Sequence, residues 1–543
     1  MVRFRSLAIY CLFFALLLLS GCAQVVAPSG GPKDKVPPKP LSFLPENKSL
    51  HFASKKILIK FNKYIQLKDL TGQLVVSPPL KYFPVALIKS GKILQMQLKD
   101  TLHENTTYTF NFGNAIADIN EGNILYNFQY VFSTGDYLDS LKLTGKVINS
   151  FSQDPQKEAL VMLYADQSDS APYKVLPSYC GRTDAGGNYK IENIKNGTYR
   201  LFCLSKSDNG YLYHAYSQSI GFNSKPIDLE SNDTVNLSLF MEEDKRFHFI
   251  KARAVDRGKI MLVFSAPADS ISIIPLNLAA SSAKPYTLLQ YGANHDTAYY
   301  WINNPALDSL RFIIAKNNKN IDTTVVYNFP NKIIQSKKNT KPIPLKITSN
   351  ISGQSDYDYH RPILLKSTYP LMKYNLSLIY LTQGKDTIRY KVDSTGLPFQ
   401  LALKPNLISD SSYRLFVASG AFTDVFGLVN DTVLQRFKVL EPTFFGSLQL
   451  NLKFEKQASY IIQLLDDQGK VYTQDIVNNS KSLNYEALPP GNYRIRAIED
   501  EDKNGKWTTG NYLGNLQPEK VFYYPQALTI RSNWDLTQDW LVK

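Results

Sequence analysis

The feature that most limits how this chain can fold is an alternation of apolar and polar residues with a period of two, begun afresh many times. Leu94, Met96 and Leu98 alternate with Gln95, Gln97 and Lys99. Tyr108, Phe110 and Phe112 alternate with Thr107, Thr109 and Asn111. Ile57, Ile59 and Phe61 share one face, and Phe128, Tyr130 and Phe132 another. A strand sends successive side chains to opposite sides, so this spacing predicts strands with one buried face. Pro78-Pro79, Ser90-Gly91 and Gly113 punctuate the runs. Several short strands within about 100 residues predict a sandwich. The 34 Tyr and the 12% aromatic share suit half-buried pleated surfaces. A hydrophobic content of 44% is enough for packed cores.

The N-terminus follows a different pattern. Arg3 and Arg5 precede an apolar run from Leu7 to Leu19, which ends in Leu19-Ser20-Gly21-Cys22. The run has the length of a signal-peptide core and is short for a membrane span. This arrangement resembles a bacterial lipoprotein signal. The resemblance implies removal of residues 1–21 and lipid attachment to the sulfur of Cys22. Residues 22–40 then form a tether rich in Pro and Gly, suited to hold a domain off a bilayer. No second long apolar run occurs, so no transmembrane helix is expected.

The formal net charge is +14 and falls to +12 without the leader, because residues 1–21 hold Arg3, Arg5 and no acid. A basic surface favours anionic partners such as lipid headgroups or lipopolysaccharide. Lys55-Lys56, Lys245-Arg246 and Lys337-Lys338 are short and scattered, and read as solvated loop charges. No nucleic-acid partner is expected of an exported chain.

A family resemblance rests on Ser29-Gly30-Gly31-Pro32-Lys33-Asp34, Ser77-Pro78-Pro79, Asn105-Thr106-Thr107-Tyr108, the stretch Phe112 to Asn123, and Phe132-Ser133-Thr134-Gly135. These resemble the S-layer-type bacterial Ig-like domain, in the version that opens a group of Bacteroidota outer-membrane lipoproteins. The resemblance covers residues 22–137. It implies an Ig-like sandwich and a non-catalytic role in the cell envelope. Surface-exported lipoproteins of that phylum often carry acids just after the lipidated cysteine. Ala23-Gln24-Val25-Val26 has none, which leaves the face of the outer membrane open.

From Leu141 a second pattern begins. Gly145-Lys146-Val147 opens it and Val161-Met162-Leu163-Tyr164 follows, while Asn196-Gly197-Thr198-Tyr199-Arg200-Leu201 reads as a hairpin turn. Thr183-Asp184 with Gly186-Gly187-Asn188-Tyr189 reads as a hairpin turn. This part resembles the small prealbumin-like, carboxypeptidase-regulatory type of sandwich. Gly197, Tyr199 and Arg200 recur as Gly491, Tyr493 and Arg494, each 294 residues on. Tyr108 and Ala115-Ile116-Ala117-Asp118 are answered by Tyr413 and Ala421-Phe422-Thr423-Asp424. Two pairs in the same order point to duplication. The expected fold class is therefore all-β, a multidomain string of Ig-like and prealbumin-like sandwiches. The expected segments are the leader 1–21, the tether 22–40, Ig-like 41–137, prealbumin-like 138–243, a β domain of unstated type 244–340, Ig-like 341–441 and prealbumin-like 442–543.

Chemistry is sparse. The 6 His are dispersed, and His103-Glu104 has Thr107 where a zinc-protease helix needs its second His. Neither a Gly-x-Ser-x-Gly elbow nor a phosphate-binding Gly loop occurs. The chain therefore reads as non-catalytic. Asp500-Glu501-Asp502-Lys503-Asn504-Gly505 matches the first half of a calcium loop, with Asp500, Asp502 and Asn504 as the candidate ligands. Asn511 stands where a helical calcium loop needs a bidentate Glu. A structural calcium in a β loop and an acidic solvated turn are both open readings; no other cofactor is expected. Cys180 and Cys203 lie in neighbouring predicted strands, either as a disulfide or as two small core residues. Trp301, Trp507, Trp534 and Trp540 either form a sugar-stacking surface or fill cores and seams. The sequence thus suggests a lipid-anchored scaffold, held to the bilayer through acylated Cys22 and partnered by outer-membrane proteins; the alternative is a glycan-binding lipoprotein.

Overall fold

A computed structural model describes residues 33–206, 210–244, 246–278, 286–292, 294–303, 308–327, 344–351, 356–393 and 398–543. The protein is all-β, built as a string of β-sandwiches; the described residues include two four-residue helices, Leu70–Gln73 and Ala171–Lys174. Among the described residues no helix is long and apolar enough to cross a membrane. The leader, Cys22 and most of the tether lie outside the described residues.

In the first sandwich one sheet runs in the order Pro40–Leu44, Lys56–Phe61, Ile93–Gln97, Val85–Lys89. The facing sheet runs Val75–Ser77, Thr107–Asn111, Gln129–Ser133. Ile57, Ile59, Phe61, Leu94 and Met96 meet Tyr108, Phe110, Phe112, Tyr130 and Phe132 between them. The polar alternates Thr107 and Thr109 are buried too. The second sandwich covers them: Asp139 N donates to Thr107 Oγ1 at 2.9 Å, and Asn193 Nδ2 donates to Thr109 Oγ1 at 2.8 Å. The strand expected to have one buried face has two, one apolar and one hydrogen-bonded.

The second sandwich and the last share a strand order. Asn188–Ile194, Leu141–Asn149 and Asp233–Thr234 form one sheet; Tyr179–Arg182, Leu160–Tyr164, Gly197–Leu204 and Ile220–Phe222 form the other. In the last sandwich the order is Lys481–Leu488, Gly446–Phe454, Asp535–Val542, facing Val471–Val477, Tyr460–Leu465, Gly491–Glu499, Val521–Tyr523. In both, the opening strand pairs parallel with the closing one. Such a parallel closure needs a long crossover, here the whole intervening unit.

The first and fourth sandwiches also match. Ile347–Ser349, Ile363–Ser367, Gln400–Pro405 and Tyr390–Asp393 repeat the order of the opening sheet. The short pair Ile65–Leu67 with Ile116–Asp118 is repeated by Leu371–Tyr374 with Phe422–Asp424. Between these lies a sandwich of four and three strands around Ile260, Leu262, Phe264, Phe312 and Ile314. Trp301 joins it to the fourth unit, 5.3 Å from Phe399 and 6.2 Å from Tyr369 between ring centres.

Candidate functional site

Among the described residues, three acids close enough together to hold a metal ion sit on the long connection between the strands Gly491–Glu499 and Val521–Tyr523. The chain leaves the first strand at Asp500, which is 2% exposed and donates its N–H to Ser459 O at 2.8 Å. Asp500 Oδ1 accepts from Asn504 N at 3.0 Å, and Oδ2 accepts from Gly505 N at 3.2 Å. Asp502 Oδ1 accepts from Asn504 N at 3.1 Å. Gly505 has φ 73°, a left-handed turn that glycine adopts without strain. Asp and Asn side chains that bond forward along their own backbone favour such a turn locally.

Glu519 completes the cluster from the far end of the connection. Its Oε1 accepts from Glu501 N and its Oε2 from Thr508 N, both at 2.8 Å. Burial pushes its carboxyl above the usual carboxylate range, against the pull of these N–H groups. Carboxylate oxygens of Asp500, Asp502 and Glu519 lie within 4.8 Å of one another. These are hard oxygen donors of the kind calcium takes. Asn504 is turned to other work: Oδ1 accepts from Lys506 N at 2.7 Å, and Nδ2 donates to Asp502 Oδ2 at 2.8 Å. Of the three residues expected from the sequence, Asp500 and Asp502 stand in this acidic group and Asn504 turns aside, while Glu519, which the sequence reading did not name, joins them. The missed signal is a lone acid ahead of the returning strand, 19 residues away. The same three carboxylates also hold four backbone N–H groups, so they shape the loop whether or not a cation joins them.

What the loop presents is a seam. Trp507 packs at a tilt against Phe151 of the second sandwich, with ring centres 4.9 Å apart, and its Nε1 donates to Glu519 O at 3.0 Å. Tyr512 enters a cluster of Phe202, Phe222 and Tyr173, with ring centres 5.3, 5.3 and 6.0 Å away. Its N–H donates to Glu242 Oε1 at 2.7 Å, and its Oη donates to Asp169 O at 2.9 Å. Tyr213 Oη donates to the other Glu242 oxygen at 2.5 Å. Thr509 Oγ1 donates to Met241 O at 2.7 Å, and Gln517 Nε2 to Phe222 O at 3.0 Å. The last unit thus clasps the second, and the string folds back on itself.

Two other candidates resolve differently. Cys180 and Cys203 are free and buried, so the disulfide expectation is corrected. They sit on opposite flanks of the Leu160–Tyr164 strand, paired with Met162 and Val161. Cys203 faces the sandwich core and Cys180 the seam, so no backbone adjustment within the sheet brings the sulfurs together. Burial pushes the Cys180 thiol up to about 12, which keeps it inert. Trp301 and Trp540 are buried and Trp507 packs in the seam; only Trp534, 55% exposed, is open. One open ring makes no stacking platform. The Trp pattern therefore serves packing, and it no longer favours glycan capture.

A search of curated proteins finds no match. Among solved structures, the major pilin subunit BcpA of Bacillus cereus is similar at 11% identity, covering 74% of this chain and 98% of that one, with a TM-score of 0.14. Domains 1–6 of the surface layer protein SbsC align at 12% identity, over 88% of this chain and 67% of that one, with a TM-score of 0.14. SGBP-B of the Bacteroides ovatus mixed-linkage glucan utilization locus aligns at 10% identity, over 73% and 95%, with a TM-score of 0.16. Residues 34–134 match a family described as bacterial Ig-like domain, which places that sandwich among the Ig-like domains.

Proposed function

We infer that the protein is a non-catalytic scaffold of the cell envelope, tethered by lipid on Cys22 and serving as an accessory subunit of an outer-membrane protein complex. The observation that carries this reading is Leu19-Ser20-Gly21-Cys22, placed behind Arg3, Arg5 and a short apolar run. The Ig-like match supports it, because such sandwiches supply faces rather than reactive groups. The ionisable groups support it as well. His51 and His295 sit in exposed pairs with Asp136 and Asp269, His360 pairs with the half-buried Asp358, and the acidic loop is engaged in shaping its own backbone. A repeated pair of sandwiches gives two sets of similar faces on one tether, which suits simultaneous contact with more than one partner.

Affinity capture from gently solubilised native membranes tests this. The reading expects membrane-protein partners to be recovered in fixed proportion. Recovery of the chain alone under several mild detergents would contradict it.

A further inference from the structure

We propose that the outward face of the first sheet is a docking surface for an anionic lipid bilayer. The charge of the chain is strongly uneven. Residues 33–99 hold 13 Lys, no Arg and three acids, Asp34, Glu46 and Asp69, a net of +10 out of the whole chain's +14. With Arg3 and Arg5 set aside, residues 100–543 are left with +2. In sequence these lysines look scattered. The sheet gathers several of them on one face.

The strand register shows how. Ser42 pairs with Lys60, Lys60 with Ile93, and Ile93 with Lys89. The next row runs Leu44, Leu58, Gln95, Leu87. A third runs Lys56, Gln97, Val85. Residues paired directly across a sheet share a face. The alternate positions Ile57, Ile59, Leu94 and Met96 fill the core, so these three rows point outward. Leu44 is 66% exposed and Leu87 51%. Gln95 between them is only 7% exposed, shielded by its apolar neighbours. The result is a stripe of three leucines with Gln95 buried among them, about 15 Å across four strands, with lysines on both flanks. Lys56, Lys60 and Lys89 are exposed and form no ion pair among the described residues.

Position selects the occupant. The opposite sheet of this sandwich is covered by the second unit, as Ser77 Oγ accepting from Cys180 N at 3.1 Å also shows. The entering chain is pinned at Asp34, which accepts from Lys63 Nζ at 2.5 Å and through its carbonyl from Asn123 Nδ2 at 2.8 Å. From Cys22 to Lys33 is eleven residues, at most about 40 Å of extended chain. On the reading of Cys22 as the anchor, on which this geometry rests, the first sandwich stays beside the bilayer and its open face can meet it. Lysine stems lie along apolar surface while their ammonium groups reach headgroup phosphates, and the leucines settle at the interface.

The test uses residues 22–543 with Cys22→Ser, so that no acyl chain contributes, and vesicles of phosphatidylcholine with or without phosphatidylglycerol. The chain is expected to sediment with the anionic vesicles, and to be released by salt. The triple variant Lys56→Gln, Lys60→Gln, Lys89→Gln is expected to bind about a hundredfold more weakly, at roughly fivefold per lysine. The triple Arg variant is expected to bind as the parent does, as is Lys366→Gln, Lys373→Gln, Lys391→Gln in the fourth sandwich. Equal binding by the triple Gln variant would overturn the proposal. So would absence of vesicle binding at low salt, including the case where polyglutamate binds instead and assigns the face to an acidic polypeptide. Because no lipid is attached in this experiment, its failure is separate from any failure of the Cys22 anchor.

Discussion

Asp118 and Asp424 stand at the same place in two sandwiches of the same strand order, yet their surroundings act on them in opposite directions. Burial opposes the charge of Asp118, but Glu121 N at 2.7 Å, Asn123 Nδ2 at 2.9 Å and Gly122 N at 3.0 Å outweigh it and hold the carboxyl below the usual range. Asp424 is raised by burial; Leu428 N and Phe426 N serve its Oδ1, while its Oδ2 is buried without a partner. The loop Ile119 to Asn123 supplies donors that Val425-Phe426-Gly427 does not. The signs follow by linkage. Asp118 stabilises its turn above the unfolded carboxylate value of about 3.9, and that contribution is lost as pH falls through its lower folded value. Asp424 is the reverse: its contribution is present at low pH and lost as pH rises through its raised folded value. Amide exchange therefore has a predicted signature. Protection at Phe426 and Leu428 should increase as pH is lowered from 7 toward 4, after correction for intrinsic exchange, while protection at Glu121 and Gly122 should stay level.

The paired tyrosines belong to the same scale. Tyr108 Oη accepts from His103 N at 2.9 Å, and Tyr413 Oη accepts from Ile408 N at 2.8 Å. Tyr199 Oη and Tyr493 Oη donate to Lys195 O and Pro489 O at 2.8 and 2.9 Å. These four residues were visible in the sequence as recurring letters; what each bonds was not, because a carbonyl or an amide leaves no mark there. Tyr108→Phe and Tyr413→Phe should each cost about 1–2 kcal/mol, from leaving an amide without its acceptor. Faster exchange at His103 and Ile408, local to each variant, would check it; unchanged exchange would refute it.

At the scale of elements, alternation reveals a strand only when one side is wet. Leu448, Leu450 and Leu452 are buried and their alternates Gln449, Asn451 and Lys453 are more open, so Gly446–Phe454 reads cleanly. All five residues of Leu160–Tyr164 and all six of Tyr460–Leu465 are buried, and there the period vanishes. Val161 and Leu163 fill the second sandwich's own core, while Leu160, Met162 and Tyr164 face the seam that receives Tyr512. The seam was illegible because its two halves are some 300 residues apart, and an apolar run does not name its second neighbour. Gly510 marks the closest approach: a Cβ there would lie 2.6 Å from Phe240 Cζ and 2.7 Å from Leu516 O. Gly510→Ala should loosen the loop and speed limited proteolysis between residues 500 and 520. The calcium expectation passes to Asp500, Asp502 and Glu519. It requires that millimolar calcium raise the melting temperature of the parent chain and leave Asp502→Ala unmoved; an unchanged parent melt removes calcium from the account.

For the whole molecule, the clasp decides shape. A straight row of sandwiches would keep the second and last units apart; Phe151–Trp507, Glu242–Tyr512 and Gln517–Phe222 bring them together. Tyr512→Ala should weaken this contact by about 3–5 kcal/mol, as for other buried aromatic truncations. The expected readouts are a larger radius of gyration in solution scattering and a red-shifted Trp507 emission, with each sandwich still folded.

A folded-back body of β units is of use as a scaffold only where it is held. The decisive measurement is the intact mass of the mature protein extracted from membranes of its native cell. The account predicts a chain that starts at Cys22 and carries thioether-linked diacylglycerol on that sulfur. A bare residue 22, or a product that keeps its leader and floats free of the membrane, would contradict it.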